Sequence, residues 1–136
     1  MKKFELTSEF VTNTFGVKLF RIKALIEFGD VKAGELGGYI EKEENLSQYG
    51  DAWVCGNAWV CGDADYTYIS GFGRLHRTTT FFRTKTGEVG VRCGCFYGTL
   101  EEFRKKVRET HGESKTAKEY LVIADLMELH FEEEKA

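Results

Sequence analysis

The segment Cys93-Gly94-Cys95 comes closest to chemistry in this chain. Side chains alternate along a strand, so both thiols fall on one face, with Gly94 letting the backbone bend between them. Two thiolates and two imidazoles make a tetrahedral zinc site. The chain has three histidines, His76, His111 and His130, all in or beside its C-terminal part. The expected ligand set is Cys93, Cys95, His111 and His130. Its zinc would be structural, in a lobe of about 55 residues, a size at which a metal helps materially. The alternative is that both thiols continue an apolar face begun by Val89 and Val91, because free cysteine is among the most buried residue types.

Two other cysteines, Cys55 and Cys61, sit six residues apart in equivalent positions of a repeat, where they read as small space-fillers. Four cysteines in a chain without a secretory leader are free thiols or metal ligands more often than disulfides. Met1–Thr7 lacks the apolar core of a signal peptide, and no apolar run approaches the roughly 20 residues of a membrane span. The expectation is a soluble, cytoplasmic protein. A net charge of −3 argues against a broad nucleic-acid groove. The mixed-sign run Glu101–Glu109 reads as a solvated helix face.

The elements that must position these residues fall into two stretches, 1–77 and 78–136. In the first, Val17–Ala24 reads as a strand, and Gly29-Asp30 and Gly37-Gly38 read as turns. Gly50-Asp51-Ala52-Trp53-Val54-Cys55 is then followed by Gly56-Asn57-Ala58-Trp59-Val60-Cys61 and Gly62-Asp63-Ala64-Asp65-Tyr66-Thr67. A period of six suggests a left-handed parallel β-helix, a triangular coil with one large residue per hexad pointing inward. The inward positions would be Val54, Val60, Tyr66 and Phe72, and the small corner positions Ala58, Ala64 and Ser70. In the second stretch, Thr78–Arg83 and Glu88–Phe96 read as a β-hairpin about Lys85-Thr86-Gly87. Thr99 and Glu102 form a capping box for a helix that Gly112 ends. A second helix runs from near Ser114 to about Phe131, with Tyr120, Ile123, Ala124, Met127 and Phe131 on one face. Leu121, Leu126 and Leu129 widen that face, so the helix is expected to be buried on more than one side.

Leu19–Ala24, Gly29–Ile40, Asn45-Leu46-Ser47 and the hexads together resemble small phage and prophage proteins that carry hexapeptide repeats. The likeness covers about residues 4 to 75, and Thr80 to Gly112 resembles the end module of the same group. The resemblance is specific to that group and nearly silent on its activity. Small phage proteins without an enzyme motif are often inhibitors of host defence, anti-CRISPR proteins among them.

Trp53 and Trp59 flank the inward valines and so would face outward. They are either covered by a neighbouring element or form a partner-binding or dimer patch, since exposed tryptophan is enriched at interfaces. A hexapeptide coil also raises acyltransferase activity, but the hexads from Gly50 to Ser70 carry no histidine to serve as general base. No catalytic residues are assigned.

The expected fold is therefore α+β: a short left-handed β-helix stub, capped by an N-terminal strand region and a C-terminal β-hairpin with two helices. The expected function is non-enzymatic binding of a host protein, a CRISPR-Cas effector being the first class, with a homodimer expected from the uncovered coil. A self-associating hexapeptide module and a degenerate acyltransferase are the alternatives.

Overall fold

The computed structural model describes residues 2–61, 65–73, 77–94 and 96–132. The strands are β1 (Phe4–Thr12), β2 (Lys18–Ala24), β3 (Leu36–Ile40), β4 (Trp59–Val60), β5 (Tyr66–Phe72), β6 (Arg77–Arg83), β7 (Val89–Cys93) and β8 (Phe96–Thr99). The helices are α1 (Leu100–His111) and α2 (Lys115–His130). The strands form two four-stranded sheets, ordered β1-β2-β3-β4 and β5-β6-β7-β8.

This is an α+β fold, and the expected left-handed parallel β-helix is not formed. All pairings are antiparallel except β3 with β4, where Tyr39 faces Trp59 and Ile40 faces Val60. The third hexad leaves the coil: Tyr66 and Phe72 both lie on β5, paired antiparallel with β6. Burial explains the difference. A coil turns one residue per hexad inward and leaves the rest to solvent. Here Ala52, Trp53, Val54 and Cys55 are all buried in succession, so the segment is enclosed from both sides. Val54 and Val60 are buried together with Trp53, while Phe72 packs against a different core. The second sheet begins at Tyr66, inside the stretch 1–77 that read as one unit.

The second sheet carries a layer on each face. Along β6, Thr79, Thr80, Phe81 and Phe82 are all buried. Alternation sends Phe81 toward the helices, where its ring meets Phe103 edge-on at 6.1 Å. Phe82 points the opposite way, into the core with Trp53, Val54 and Ala58. The neighbours obey the same division. Val91, opposite Phe81, joins the helical core, and Gly90, opposite Phe82, is glycine where the Phe82 ring passes: a Cβ there would lie 2.5 Å from it. Tyr97 of β8 stacks on Phe82 at 6.3 Å, and its hydroxyl accepts the Asn57 amide at 3.1 Å. The Trp53 amide donates to Thr80 Oγ1 at 3.1 Å. The loop 52–58 is thus tied to both sheets: its Trp53 and Asn57 amides donate to the second, and its Val54 and Ala58 carbonyls accept the Gly38 and Tyr39 amides of β3 at 3.0 and 2.9 Å.

Gly37 and Gly38, which read as a turn, lie within β3. A Cβ on Gly37 would fall 2.7 Å from the Trp53 ring, and one on Gly38 would fall 2.6 Å from the Ala58 Cβ. Glycine here permits close packing within a strand. The C-terminal caps follow the residues. Thr99 Oγ1 accepts the Glu102 amide and Glu102 accepts the Thr99 amide, which holds the Glu102 carboxyl below its ordinary pKa. Ser114 caps α2 through the Ala117 amide. No helix among the described residues is long and apolar enough to cross a membrane.

Lys3 is 2% exposed in the N-terminal core. Its ammonium donates to the carbonyls of Ala52 at 2.9 Å and Gly50 at 3.4 Å, and lies 4.8 Å from the centre of the Phe28 ring. Burial lowers its pKa to about 8, although the nearby Asp51 charge acts in the opposite direction. The unfolded chain keeps this proton up to about 10.4. Between those values the unfolded state binds more protons, so stability from this group rises with pH. Below pH 8 the cost of burying the charge is fully present. Measured by denaturant unfolding from pH 7 to 10.5, the wild type should gain on Lys3→Met by up to about 3 kcal/mol. Parallel curves for the two proteins would contradict this reading.

Candidate functional site

Helix α2 carries two apolar stripes. Ala117, Tyr120, Ile123, Ala124 and Met127 face the second sheet and α1 and are buried. Val122, Leu126 and Leu129 are 67%, 54% and 67% exposed. Their i, i+4, i+7 spacing aligns them along one side of the helix, with no element over them among the described residues. This corrects the expectation that Leu126 and Leu129 help bury a second side of α2. Leu121 alone of those three leucines packs partly against the core.

The rim of the stripe is acidic and held in place. Arg104, buried between the helices, donates to Asp125 at 2.8 Å, to Glu128 at 3.1 Å and to Glu101. Asp125 and Glu128 remain 75% and 68% exposed while so oriented. Glu132 follows, also exposed. The result is a rigid apolar ridge beside fixed carboxylates. It can dock an apolar surface with a basic margin. The stripe was readable in the sequence as a second helical period on α2. A single sheet and a single helix neighbour can cover only one side of that helix.

The residues singled out by sequence are dispersed. Trp53 is 1% exposed, edge-on to Phe28 at 5.4 Å and to Phe4 at 6.4 Å. It is a core residue and not a docking surface. Its indole N–H is buried without a hydrogen-bond partner among the described residues. Trp59 is half-buried, with the Lys85 ammonium 5.8 Å from its ring centre. Of the two, Trp59 alone reaches the surface. Cys55 is buried beside Arg92, and burial pushes its thiol up to about 11, which keeps it protonated and unreactive. Burial also raises the Cys61 thiol.

Of the four expected zinc ligands, two approach one another. Cys93 and His111 line the same cavity, with Thr79 donating its hydroxyl to Cys93 Sγ at 3.2 Å and His111 stacked on Tyr120 at 6.2 Å. Cys95 lies outside the described residues, as does His76. His130 is elsewhere. It meets Phe131 edge-on at 5.0 Å, ten residues and about 15 Å along α2 from Tyr120. Zinc–nitrogen bonds of about 2 Å cannot span that gap. Among the described residues, no group of three or more histidine, cysteine, aspartate or glutamate side chains converges on one point. Cys93 and His111 are thus the two residues of the four-residue set that share a cavity, and His130 lies apart from them.

The chain matches no family model, and no curated protein or solved structure matches it.

His130→Ala should leave the metal content of the purified protein unchanged and shift stability by less than about 0.5 kcal/mol, as exposed substitutions do. Native mass spectrometry with denaturant unfolding checks both. Loss of a bound zinc in that variant would restore His130 to a ligand set.

Proposed function

We propose that the protein is a non-enzymatic binding module that occupies the surface of another protein through the exposed ridge of α2. The observation that carries this reading is the alignment of Val122, Leu126 and Leu129 in solvent beside carboxylates fixed by Arg104. Large aligned apolar side chains left in water mark an interaction site when a polar rim surrounds them. Burying each is worth on the order of 1 kcal/mol or more. The rim of Asp125, Glu128 and Glu132 selects a partner with a basic margin. Proteins that bind nucleic acid present such margins, because they neutralise phosphates with lysine and arginine. That chemistry agrees with the class implied by the phage resemblance, a host defence protein such as a CRISPR-Cas effector.

A second copy of this chain is the other occupant the ridge fits. Lys115 and Lys118 lie in the N-terminal half of α2, and Asp125, Glu128 and Glu132 lie toward its end. Antiparallel pairing would bring Lys115 and Lys118 of one helix to the acidic end of the other. Self-association through hexad ends and acyltransferase activity both require the coil that this fold lacks.

Titrated against a panel of purified CRISPR-Cas effector complexes, the wild type should bind at least one. Leu126→Glu with Leu129→Glu should weaken that binding tenfold or more while leaving circular dichroism unchanged, because both positions are exposed. Sedimentation of the same two proteins reads the other occupant. A wild-type dimer split by the substitutions would replace the foreign partner with a second copy. Binding to no effector, or equal binding by both proteins, would contradict the proposal.

A further inference from the structure

At one end of the second sheet, under the helical hairpin, lies a cavity of about 310 Å³. That is the lower end of the range for small-molecule sites, about 300–1,000 Å³. Phe72, Phe96, Phe103, Val107 and Tyr120 supply its apolar walls. Phe103 and Tyr120 are buried and meet at 90°, with ring centres 5.8 Å apart. Tyr120 is tied down: its hydroxyl donates to the Phe72 carbonyl at 3.1 Å, and Gly73 clears the space, since a Cβ there would lie 2.5 Å from that oxygen. The walls are therefore preformed.

The polar lining is one-signed. Arg77, Lys106 and His111 border the cavity, and no carboxylate does among the described residues. Arg77 and Lys106 are exposed, which puts their charge on the solvent side of the rings. Arg77 is shared with Asp30 at 3.5 Å, whereas Lys106 makes no ion pair among the described residues. A second cavity of about 260 Å³, on the opposite face of the sheet, provides the contrast. It is bordered by Asp30 and Asp51 as well as Arg77 and Arg92, and by no aromatic ring. Its charges compensate one another; those of the first do not.

We propose that the first cavity binds a small planar aromatic molecule carrying one anionic group, the rings taking the body and Lys106 with Arg77 taking the charge. Flat apolar walls favour an aromatic body by edge and offset contacts. Lys106, free of an ion pair among the described residues, favours a carboxylate or a similar anion at the solvent side, with Arg77 beside it. Tyr120 is on the buried face of α2, so this site and the exposed ridge are separate, and either can stand without the other.

Calorimetry with 2-naphthoate, and with the neutral 2-naphthylmethanol as its control, tests the proposal. The wild type should bind naphthoate saturably at one site per chain, and the alcohol about tenfold more weakly. Lys106→Gln, an exposed helix substitution, should weaken naphthoate several-fold and leave the alcohol unchanged. Val107→Phe, which fills the cavity, should abolish both; its folding is checked by circular dichroism. Absence of saturable naphthoate binding at millimolar concentration, equal affinity for the alcohol, or indifference to Lys106→Gln would overturn the proposal.

Discussion

Strand β6 is buried on both faces, and the rest of the molecule is arranged around that fact. Phe81 and Phe82 are neighbours in sequence but belong to opposite cores. Antiparallel sheets commonly keep one face for solvent. This one cannot, because α1 and α2 cover one side and the loop 52–58 with the first sheet covers the other. Every residue from Thr79 to Phe82 must therefore tolerate burial, and the two threonines do so by bonding to Cys93 and to the Trp53 amide. Neither core is large. In a chain of 136 residues, two cores sharing a strand support one another in a way that two separate small domains would not.

The same arrangement limits where function can lie. The middle layer is sealed, and Ala52 to Cys55, Ala58 and Val60 of the first two hexads are buried, so these residues of the conspicuous repeats serve packing. Cross-links between the layers fix the remaining surface: Arg92, steadied by the nearby Gly94 carbonyl at 2.7 Å, reaches Glu35 at 3.0 Å, and Ala58 bridges to Thr84. Among the surfaces left open are the outer side of α2, stiffened by Arg104, and the aromatic cavity at the end of the sheet. Both lie in the helical half, away from the repeats that first attract notice.

The C-terminal half was legible because its patterns are local. The capping box at Thr99, the left-handed Gly112 and the 3.6-residue period of α2 each act within a turn or two, and the helices form where those residues put them. The strand read over Thr78–Arg83 is observed as Arg77–Arg83, whereas the return strand read over Glu88–Phe96 ends at Cys93, and Phe96 instead opens β8, which folds back on β7. The N-terminal half was not legible in the same way. A period of six is consistent with a coil only if successive turns stack. With so few hexads the stacking amounts to the two-residue parallel pairing of β3 with β4. The side chains then answered to the second sheet instead, which no local pattern announces. Gly37-Gly38 misled for a related reason: a glycine pair signals a turn by its backbone freedom, but here it makes room for Trp53 and Ala58. The candidate sites show both sides of this. Leu126 and Leu129 were visible as apolar but not as exposed, because exposure depends on how many neighbours α2 finds. The aromatic cavity joins residues from four strands and both helices, and no spacing in the sequence brings them together.

The central claim is that β6 makes the two cores one cooperative unit. Native-state hydrogen exchange tests it most directly. The account predicts that amides of Thr79 to Phe82, of β2 and of the α2 interior exchange only through global unfolding, with a common free energy and denaturant dependence. Exchange of the first sheet at a distinctly lower free energy than α2, with β6 following one half alone, would show two separable units and contradict it.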